Sequence, residues 1–250
     1  MQEGAVLEMR GISKFFPGVK ALQNVDFTLR SGEIHALMGE NGAGKSTLIK
    51  VLTGVYEKDA GEIYIAGHDG AVAIRRPQDA QKWGISTVYQ EITLCPNLTV
   101  AENMYIARTP GSFTSWKKMN AGAKRLLEEL GIPAKPNRQL GDYSIAVQQM
   151  VAIARAVDMD CKVLILDEPT SSLDEQEVAK LFTLMRDLRA KGVGILFVTH
   201  FLDQVYEVCD RITVLRDGQL VGEYAIENLP RVQLLSLIHI SEPTRHLRIS

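Results

Sequence analysis

Residues 39–47 read Gly-Glu-Asn-Gly-Ala-Gly-Lys-Ser-Thr, and no other stretch constrains the fold of this chain as strongly. The stretch matches G-x-x-x-x-G-K-[ST], the pattern of a phosphate-binding loop. A short apolar run (33–38) precedes it and a helix-like run (47–53) follows it, which predicts a strand, a glycine loop and a helix start. In that arrangement the loop N–H groups and the helix N-terminus converge on an anion, and the glycines let the backbone approach it closely. The chain is therefore expected to bind a nucleoside triphosphate.

The residues of this loop have distinct expected roles. Lys45 would reach the β- and γ-phosphates, and the Ser46 hydroxyl would bind Mg²⁺. The alternative, a glycine-rich turn without a ligand, is disfavoured by the strand and helix patterns on either side. The predicted nucleotide contacts of the loop are Gly39, Asn41, Gly42, Gly44, Lys45, Ser46 and Thr47.

The composition excludes several classes of protein. The chain has 250 residues, of which 46% are hydrophobic and 23% charged, as in ordinary soluble domains. The formal net charge of −2 gives no support for nucleic-acid binding. The apolar runs are strand-sized, and residues 1–5 lack the basic start and apolar core of a signal peptide. We therefore expect a cytoplasmic protein, for which any role at a membrane requires a partner subunit.

Three cysteines, Cys95, Cys161 and Cys209, are far apart and form no C-x-x-C pair. This spacing favours buried thiols in a reducing compartment. A disulfide framework or a cysteine metal site is not expected.

The hydrophobic pattern divides the chain into two kinds of segment. Strand-like and helix-like runs alternate over 1–92 and again over 161–234, which predicts an α/β core built on a doubly wound parallel sheet. Early strands are predicted over 6–12 and 25–29. Over 93–160 the strand pattern stops and helix-like runs appear, so we expect an inserted helical subdomain.

Two later apolar runs, 163–167 and 194–198, are nearly continuous, as is typical of parallel strands covered on both faces. The stretch between them predicts an amphipathic helix. Asp174 would cap this helix, Glu177 would complete a capping box, and Gly192 would end the helix.

The end of the chain is interpreted separately. The stretch 235–245, Leu-Ser-Leu-Ile-His-Ile-Ser-Glu-Pro-Thr-Arg, resembles the translated read-through of a sequencing adapter. We therefore expect 235–250 to be a non-native tail and leave it out of the fold prediction. On this interpretation the natural gene continues differently and the chain is a fragment. The alternative is a genuine short tail.

Two carboxylates stand at the end of the run 163–167, namely Asp167 and, directly after it, Glu168. An aspartate at the tip of a buried strand beside a phosphate loop can hold Mg²⁺ together with Ser46. The side chain of Glu168, one residue further along, would point in a different direction from that of Asp167. It could act as general base for an attacking water. The alternative, an ordinary strand-end turn, is disfavoured by the phosphate loop upstream.

Two further polar residues follow predicted strands. His200 would lie at the same sheet edge as Asp167 and could donate a hydrogen bond to the γ-phosphate or bind the attacking water. Gln90 ends the predicted strand 85–89, and its amide can reach Mg²⁺ or the water. A structural histidine and a solvated strand end remain the alternatives for these two residues.

Two other features could contact a nucleotide. Phe15 and Phe16 could stack on adenine, with core packing as the alternative. Ser144 precedes the helix-like run 145–159, and its hydroxyl suits an N-cap. Such a helix end can also bind a second phosphate, provided that another subunit brings its nucleotide there.

Together these motifs resemble the ATP-binding subunits of ABC transporters over almost all of residues 5–230. The matching motifs are the loop 39–47, Tyr89-Gln90-Glu91, Tyr143-Ser-Ile-Ala-Val-Gln-Gln149, Val163-Leu-Ile-Leu-Asp-Glu-Pro-Thr170, Ser172-Leu-Asp174 and Val198-Thr-His200. The resemblance implies a phosphate-loop NTPase fold of the ABC type, which adds an antiparallel β part to the sheet. It also implies ATP and Mg²⁺ as ligands.

The resemblance implies specific roles within one ATP site. Glu168 would be the catalytic base, and His200 the switch that contacts the γ-phosphate. Gln90 would be a sensor that links the site to a membrane subunit. Phe16, rather than Phe15, would stack on the adenine.

The resemblance also implies a head-to-tail pair of nucleotide domains around two ATP molecules. Ser144 would contact the ATP held by the opposite domain, and Asp174 would lie in the loop that crosses the interface. The family usually reads Leu-Ser-Gly-Gly-Gln where residues 143–147 here read Tyr-Ser-Ile-Ala-Val. Alanine at 146 is expected to narrow the approach of the partner's phosphate.

Four more segments, 54–56, 85–91, 97–103 and 209–218, resemble sugar-import ATPases of the ribose, galactose and xylose type. This implies the first of two nucleotide domains of an ATPase that powers monosaccharide import. The ATPase would lie peripherally on the inner face of the cell membrane, bound to permease subunits. A periplasmic sugar-binding protein would supply the sugar to the permease. One alternative is a non-transport ABC ATPase acting in translation or DNA repair, which the net charge does not support. Another is a nucleotide switch without hydrolysis.

Overall fold

The computed structural model describes residues 1–89, 94–106 and 115–238. The strands are β1 (Ala5–Phe16), β2 (Val19–Arg30), β3 (Ile34–Met38), β4 (Ala60–Ile65), β5 (Ile85–Val88), β6 (Val163–Asp167), β7 (Gly194–Val198), β8 (Arg211–Arg216) and β9 (Gln219–Ala225). The helices are α1 (Lys45–Leu52), α2 (Pro77–Lys82), α3 (Val100–Tyr105), α4 (Trp116–Glu129), α5 (Ile145–Val157), α6 (Glu175–Ala190), α7 (Leu202–Val208) and α8 (Arg231–Ile238). None of these described helices combines the length and the apolar character needed to cross a membrane.

The larger sheet has the strand order β5-β6-β7-β3-β8-β9. All neighbours pair in parallel except β9, which is antiparallel to β8. The central strands are almost entirely buried, which suits their nearly continuous apolar sequences. In the register of these strands, Leu37 and Asp167 both lie opposite Val198. The carboxyl ends of β3, β6 and β7 therefore meet at one edge of the sheet.

A second sheet, with the order β2-β1-β4, is antiparallel and packs against α1. Its hairpin pairs Met9 with Phe27 and, next to the turn, Phe16 with Val19. The inner side chains of this sheet, of α1 and of one face of the larger sheet form a single apolar cluster that includes Leu7, Phe27, Leu48, Leu52, Ile165 and Leu196. This packing brings the end of β1 close to the start of α1.

The helices α3, α4 and α5 pack on one another and on the other face of the larger sheet. α3 begins at a capping box, in which the Thr99 hydroxyl accepts from the Glu102 N–H and the Glu102 carboxylate accepts from the Thr99 N–H. The apolar cluster on this face includes Met104, Leu127, Val151, Phe182 and Phe197. Because this cluster is continuous with the α/β layer, the division into a core and a subdomain over 93–160 stays a prediction.

The later elements match the sequence expectation well. β6 and β7 have the predicted bounds, and α6 begins directly after Asp174. The Asp174 carboxylate accepts from the Glu177 N–H at 2.8 Å, and Gly192 adopts a φ of +88° just past the helix. The first two strands are longer than predicted because their hairpin continues the pairing up to Phe16 and Val19.

The expectation of three buried thiols is wrong for Cys95, which is exposed in the turn before α3. Cys161 and Cys209 are buried as expected. Burial raises the pKa of Cys161 to about 11 and raises that of Cys209 further. Both buried thiols therefore stay protonated at neutral pH.

A buried histidine links two strands of the larger sheet. His35 on β3 is fully buried, its Nδ1 lies 3.0 Å from the Glu33 carboxylate, and its Nε2 lies 2.7 Å from the Thr213 hydroxyl on β8. Burial lowers the pKa of His35, and this effect outweighs the opposing influence of the Glu33 carboxylate. The imidazole is therefore neutral in the folded chain at neutral pH.

We expect the free energy of unfolding to decrease as the pH falls below the ordinary histidine pKa of 6.5. Below that pH the unfolded chain binds a proton at His35 that the folded chain does not bind, so stability is lost toward the lowered pKa of the folded state. The slope from this group reaches at most about 1.4 kcal/mol per pH unit. Urea unfolding of the wild type and of His35→Gln between about pH 5 and 8 measures this slope.

The His35→Gln variant should show a shallower pH dependence of unfolding than the wild type. His68 offers a matched control, because it is exposed and its ring only packs at a tilt against Trp83. His68→Gln should keep the wild-type slope. Equal slopes for the wild type and His35→Gln would contradict the assignment of a buried neutral imidazole.

Candidate nucleotide-binding site

An open cleft lies where the loop after β3, the end of β6 and the β1–β2 turn come together. Its lining residues are Phe16, Val19, Lys20, Ala21, Asn41, Gly42, Gly44, Lys45, Ser46, Thr47, Asp167, Glu168, Val198 and Asp217. The cleft thus brings together most of the predicted loop contacts, the predicted aromatic residue and both predicted carboxylates. A separate cavity between α2, β5 and α5 contains no glycine loop.

The loop conformation requires its glycines at two positions in particular. Gly39 has a φ of +152°, and a Cβ there would lie 2.2 Å from the carbonyl oxygen of Leu215. Gly44 has a φ of +104°, and a Cβ there would lie 2.7 Å from the carbonyl oxygen of Ala21. The loop is therefore wedged between β8 and β2 in a form that side chains at these positions would exclude.

The positive groups of the loop face the cleft. Gly44 is the N-cap of α1 and supplies no side-chain oxygen, so no side-chain cap occupies the N–H groups of the first turn. The Lys45 ammonium donates to the carbonyl oxygens of Gly39 at 2.7 Å and Glu40 at 3.0 Å. Unpaired N–H groups at a helix start, next to a lysine, form a site for an anion.

The two carboxylates line the same cleft as these positive groups. Burial and the neighbouring Glu168 raise the pKa of Asp167, while Lys45 and Lys50 oppose that shift. Burial lowers the pKa of Lys45, opposed by Glu168 and Asp167. The site therefore holds close negative charges that a bound cation would stabilise.

Glu168 has an unusual backbone conformation. Its φ is +48°, in the left-handed region that few residues other than glycine, asparagine and aspartate adopt. The Glu168 N–H donates to the carbonyl oxygen of Val198 on β7 at 2.9 Å, which helps to hold this conformation. Its carboxylate lies 3.5 Å from Nδ1 of His200. Strained residues of this kind cluster at functional sites, so the geometry supports a chemical role for Glu168.

Phe16 lines the cleft, whereas His200 is not among the lining residues and lies next to Glu168. His200 is 58% exposed at its side chain, contacts Glu168 and stacks on Phe201, with ring centroids 4.0 Å apart. Phe16 is half-buried, lines the cleft and packs edge-on against Tyr56. Phe15 is exposed and is not among the lining residues. The structure therefore separates the two aromatic candidates in favour of Phe16.

The structure does not place every predicted residue in this cleft. Ser144 caps α5, with its hydroxyl 3.5 Å from the Val147 N–H, and Asp174 caps α6; neither lines the cleft. Next to Ser144, Ile145 is 47% exposed, whereas Ala146 is buried in the apolar cluster. Of the residues after Ser144 that depart from the usual family pattern, Ile145 is therefore the exposed one. The sequence analysis had singled out Ala146.

The prediction for Gln90 lies outside the described residues. The sequence analysis also missed several lining residues, among them Val19, Lys20, Ala21 and Asp217. Val19, Lys20 and Ala21 form the start of β2 and Asp217 belongs to the turn after β8, and no local motif distinguishes them. Their place in the cleft depends on how the two sheets pack.

Comparison with known proteins agrees with this geometry. The model of the ABC transporter family matches residues 22–171. The galactofuranose transporter ATP-binding protein YtfR of Escherichia coli (strain K12) is 54% identical over 239 residues, which cover 95% of this chain and 47% of that protein. The fructose import ATP-binding protein FruK of Bifidobacterium longum (strain NCC 2705) is 52% identical over 242 residues, which cover 93% and 46%. The chain therefore spans about half the length of the curated relatives it matches.

A solved structure extends the comparison to the fold. It is a dimeric structure of a post-hydrolysis state of an ATP-binding cassette, bound to ADP and Pi. It is 25% identical to this chain, with a TM-score of 0.74, and the match covers 89% of this chain and 100% of the other. Since the family model covers more than half of the chain, including the phosphate loop and both carboxylates, the chain belongs to the ABC transporter family.

Proposed function

We propose that this chain binds and hydrolyses ATP and thereby powers the import of a monosaccharide through an ABC transporter. The observation that carries the proposal is the cleft in which Lys45 and the start of α1 face Asp167 and Glu168. The names of the relatives, a galactofuranose transporter ATP-binding protein and a fructose import ATP-binding protein, support a sugar as the transported molecule. The cleft binds the nucleotide and therefore does not indicate which sugar is transported.

In this proposal the nucleotide lies along the cleft with its two ends on different elements. The triphosphate contacts the loop N–H groups and Lys45, and the adenine stacks on Phe16. The half-buried ring of Phe16 and the neighbouring Val19 offer the apolar surface that a base requires.

The residues present also suit Mg²⁺. The Ser46 hydroxyl and the Asp167 carboxylate offer the oxygen ligands that Mg²⁺ prefers. Burial and, after it, the neighbouring Glu168 raise the pKa of Asp167, and a cation bound there would stabilise the ionised carboxylate. Within the described ranges no group of three or more His, Cys, Asp or Glu side chains could hold a metal, so phosphate oxygens and water would supply the other ligands. Gln90 is proposed as a further ligand. When bound, Mg²⁺ neutralises charge that develops on the phosphates.

The chemistry is an in-line attack of water on the γ-phosphorus. Glu168 accepts a proton from the attacking water while the new oxygen–phosphorus bond forms. The bond from the γ-phosphorus to the bridging oxygen breaks, and ADP leaves with that electron pair. His200, next to Glu168, donates a hydrogen bond to the γ-phosphate and so holds the water and the phosphate in line.

We further propose that the working unit is a head-to-tail pair of nucleotide domains. Ser144 would contact the ATP of the opposite domain, and Asp174 would lie at the interface. The dimeric cassette with ADP and Pi, which resembles this chain in fold, supports such an arrangement. The pair would lie on the inner face of the cell membrane against permease subunits, with a periplasmic binding protein supplying the sugar.

Lys45→Ala should weaken ATP binding by about 10- to 100-fold, because it removes a charged donor to the phosphates. Titration of the chain with a fluorescent ATP analogue measures this affinity. Lys191→Ala is the matched control, since Lys191 pairs with Glu129 on the surface and does not line the cleft. Wild-type affinity in Lys45→Ala would show that the loop does not hold the phosphates.

Glu168→Gln should reduce ATP turnover by about 10²- to 10⁴-fold and leave ATP affinity nearly unchanged, because it removes the base and spares the phosphate contacts. Phosphate release by the purified chain measures the turnover. Glu129→Gln, on the surface of α4, serves as the control. If Glu168→Gln hydrolysed ATP at the wild-type rate, the role of base would belong to another group.

The partner class can be tested by affinity purification from the source cells with non-hydrolysable ATP present. We expect integral membrane subunits to co-purify with the wild type, because a transport ATPase acts only through a permease. Recovery of ribosomes or DNA in their place would favour the alternative, a non-transport ABC ATPase acting in translation or DNA repair. The small net charge of −2 is the observation against that alternative.

A further inference from the structure

A single side chain links the two segments that carry Glu168 and His200. The carbonyl oxygen of the Gln204 side chain, on α7, accepts from the Thr170 hydroxyl at 2.7 Å and from the Thr199 hydroxyl at 3.3 Å. Thr170 follows Glu168 by two residues, and Thr199 directly precedes His200. One amide oxygen thus joins the segment after β6 to the segment after β7.

A neighbouring contact agrees with the direction of the Thr199 hydrogen bond. The Thr199 hydroxyl accepts from the Phe201 N–H at 3.1 Å, so its own proton is left to point at Gln204. Both threonines are buried, with exposures of 4% for Thr170 and 2% for Thr199. Buried hydroxyls need a partner, and here both depend on the same acceptor.

Gln204 does not line the cleft, so it has no contact with a nucleotide through which to act. The backbone of Glu168 is strained and is otherwise tied to β7 by the bond from its N–H to Val198. The contact between the carboxylate of Glu168 and His200 depends on how the two segments are positioned. An acceptor that fixes both segments therefore fixes the spacing of these two side chains.

We propose that Gln204 is a positioning residue, which holds the Glu168 and His200 segments in register through the hydroxyls of Thr170 and Thr199. This inference rests on the proposed function, since it concerns the same hydrolytic site. It assigns to α7 the task of coupling the two segments, a task that no sequence motif indicates.

The test compares two variants. Gln204→Leu lacks the acceptor, whereas Gln204→Glu puts a carboxylate oxygen in the place of the amide oxygen. Gln204→Leu should lower kcat for ATP by about 10- to 100-fold while KM and ATP affinity change by less than about threefold. Gln204→Glu should recover most of the lost kcat. Glu207→Gln on the exposed side of α7 is the matched control. The proposal would be overturned by a wild-type kcat in Gln204→Leu, by a rise in KM as large as the fall in kcat, or by no recovery of kcat in Gln204→Glu.

Thr170→Val provides a second variant if Gln204→Leu does not fold. Thr170→Val keeps the side-chain shape but removes one donor, so its loss of kcat should be smaller than the loss in Gln204→Leu. Where the double variant folds, Thr170→Val should add little to the loss of kcat caused by Gln204→Leu. Additive losses in the double variant, or wild-type kcat in Thr170→Val, would argue against a shared acceptor.

Amide hydrogen exchange separates this inference from the proposed function. In Gln204→Leu, or in Thr170→Val if that variant replaces it, peptides covering 168–174 and 199–204 should exchange faster, while those covering 39–52 should not. If the wild type hydrolyses no ATP, the proposed function fails, and the exchange data still decide whether the side chain links the segments. Unchanged exchange in both segments would overturn the inference even in an active ATPase.

Discussion

The site depends on the parallel pairing of β3, β6 and β7. Because side chains and strand ends in a parallel sheet follow the register, pairing Leu37 and Asp167 with the same residue, Val198, brings three chain segments to one edge. The glycine loop leaves β3 there, the two carboxylates follow β6, and His200 follows β7. A shift of one residue in any of these strands would turn the buried side chains to the opposite face and separate the charged groups.

This shared edge also explains the electrostatics of the cleft. Lys45 and Asp167 are held partly away from water, and this burial lowers the pKa of Lys45 and raises the pKa of Asp167. The two carboxylates oppose the shift of Lys45, whereas the Glu168 carboxylate adds to the shift of Asp167. The strained backbone of Glu168 is tolerated because β7 and the hydrogen bonds of Thr170 restrain it from two sides. Stable packing elsewhere, in the two apolar clusters on either face of the sheet, offsets that strain.

The two faces of the sheet contribute differently to the site. The antiparallel sheet and α1 supply Phe16 and the phosphate loop, whereas α5 and α6 carry Ser144 and Asp174 at their N-termini, outside this cleft. The exposed Ile145 beside Ser144 is a residue that a partner surface would have to accommodate. The nucleotide cleft and the capped starts of α5 and α6 are therefore separate parts of this chain. In the proposed pair, these helix starts would meet the partner chain.

The local units could be predicted from the amino-acid sequence, because their signals lie within a few residues of one another. The phosphate loop, the strands β6 and β7, and the capped start of α6 each depend on neighbouring residues, and all were found where the pattern predicted them. The tertiary structure alone decided which residues complete the cleft, such as Lys20 and Asp217, because they meet only when the two sheets pack. It also decided that Gln204 joins Thr170 to Thr199, since the hydrogen bond between Gln204 and Thr170 spans 34 positions and leaves no periodic trace in a sequence. Local propensities act over a few residues, whereas a site at the edge of a parallel sheet is assembled from strands that the chain visits far apart.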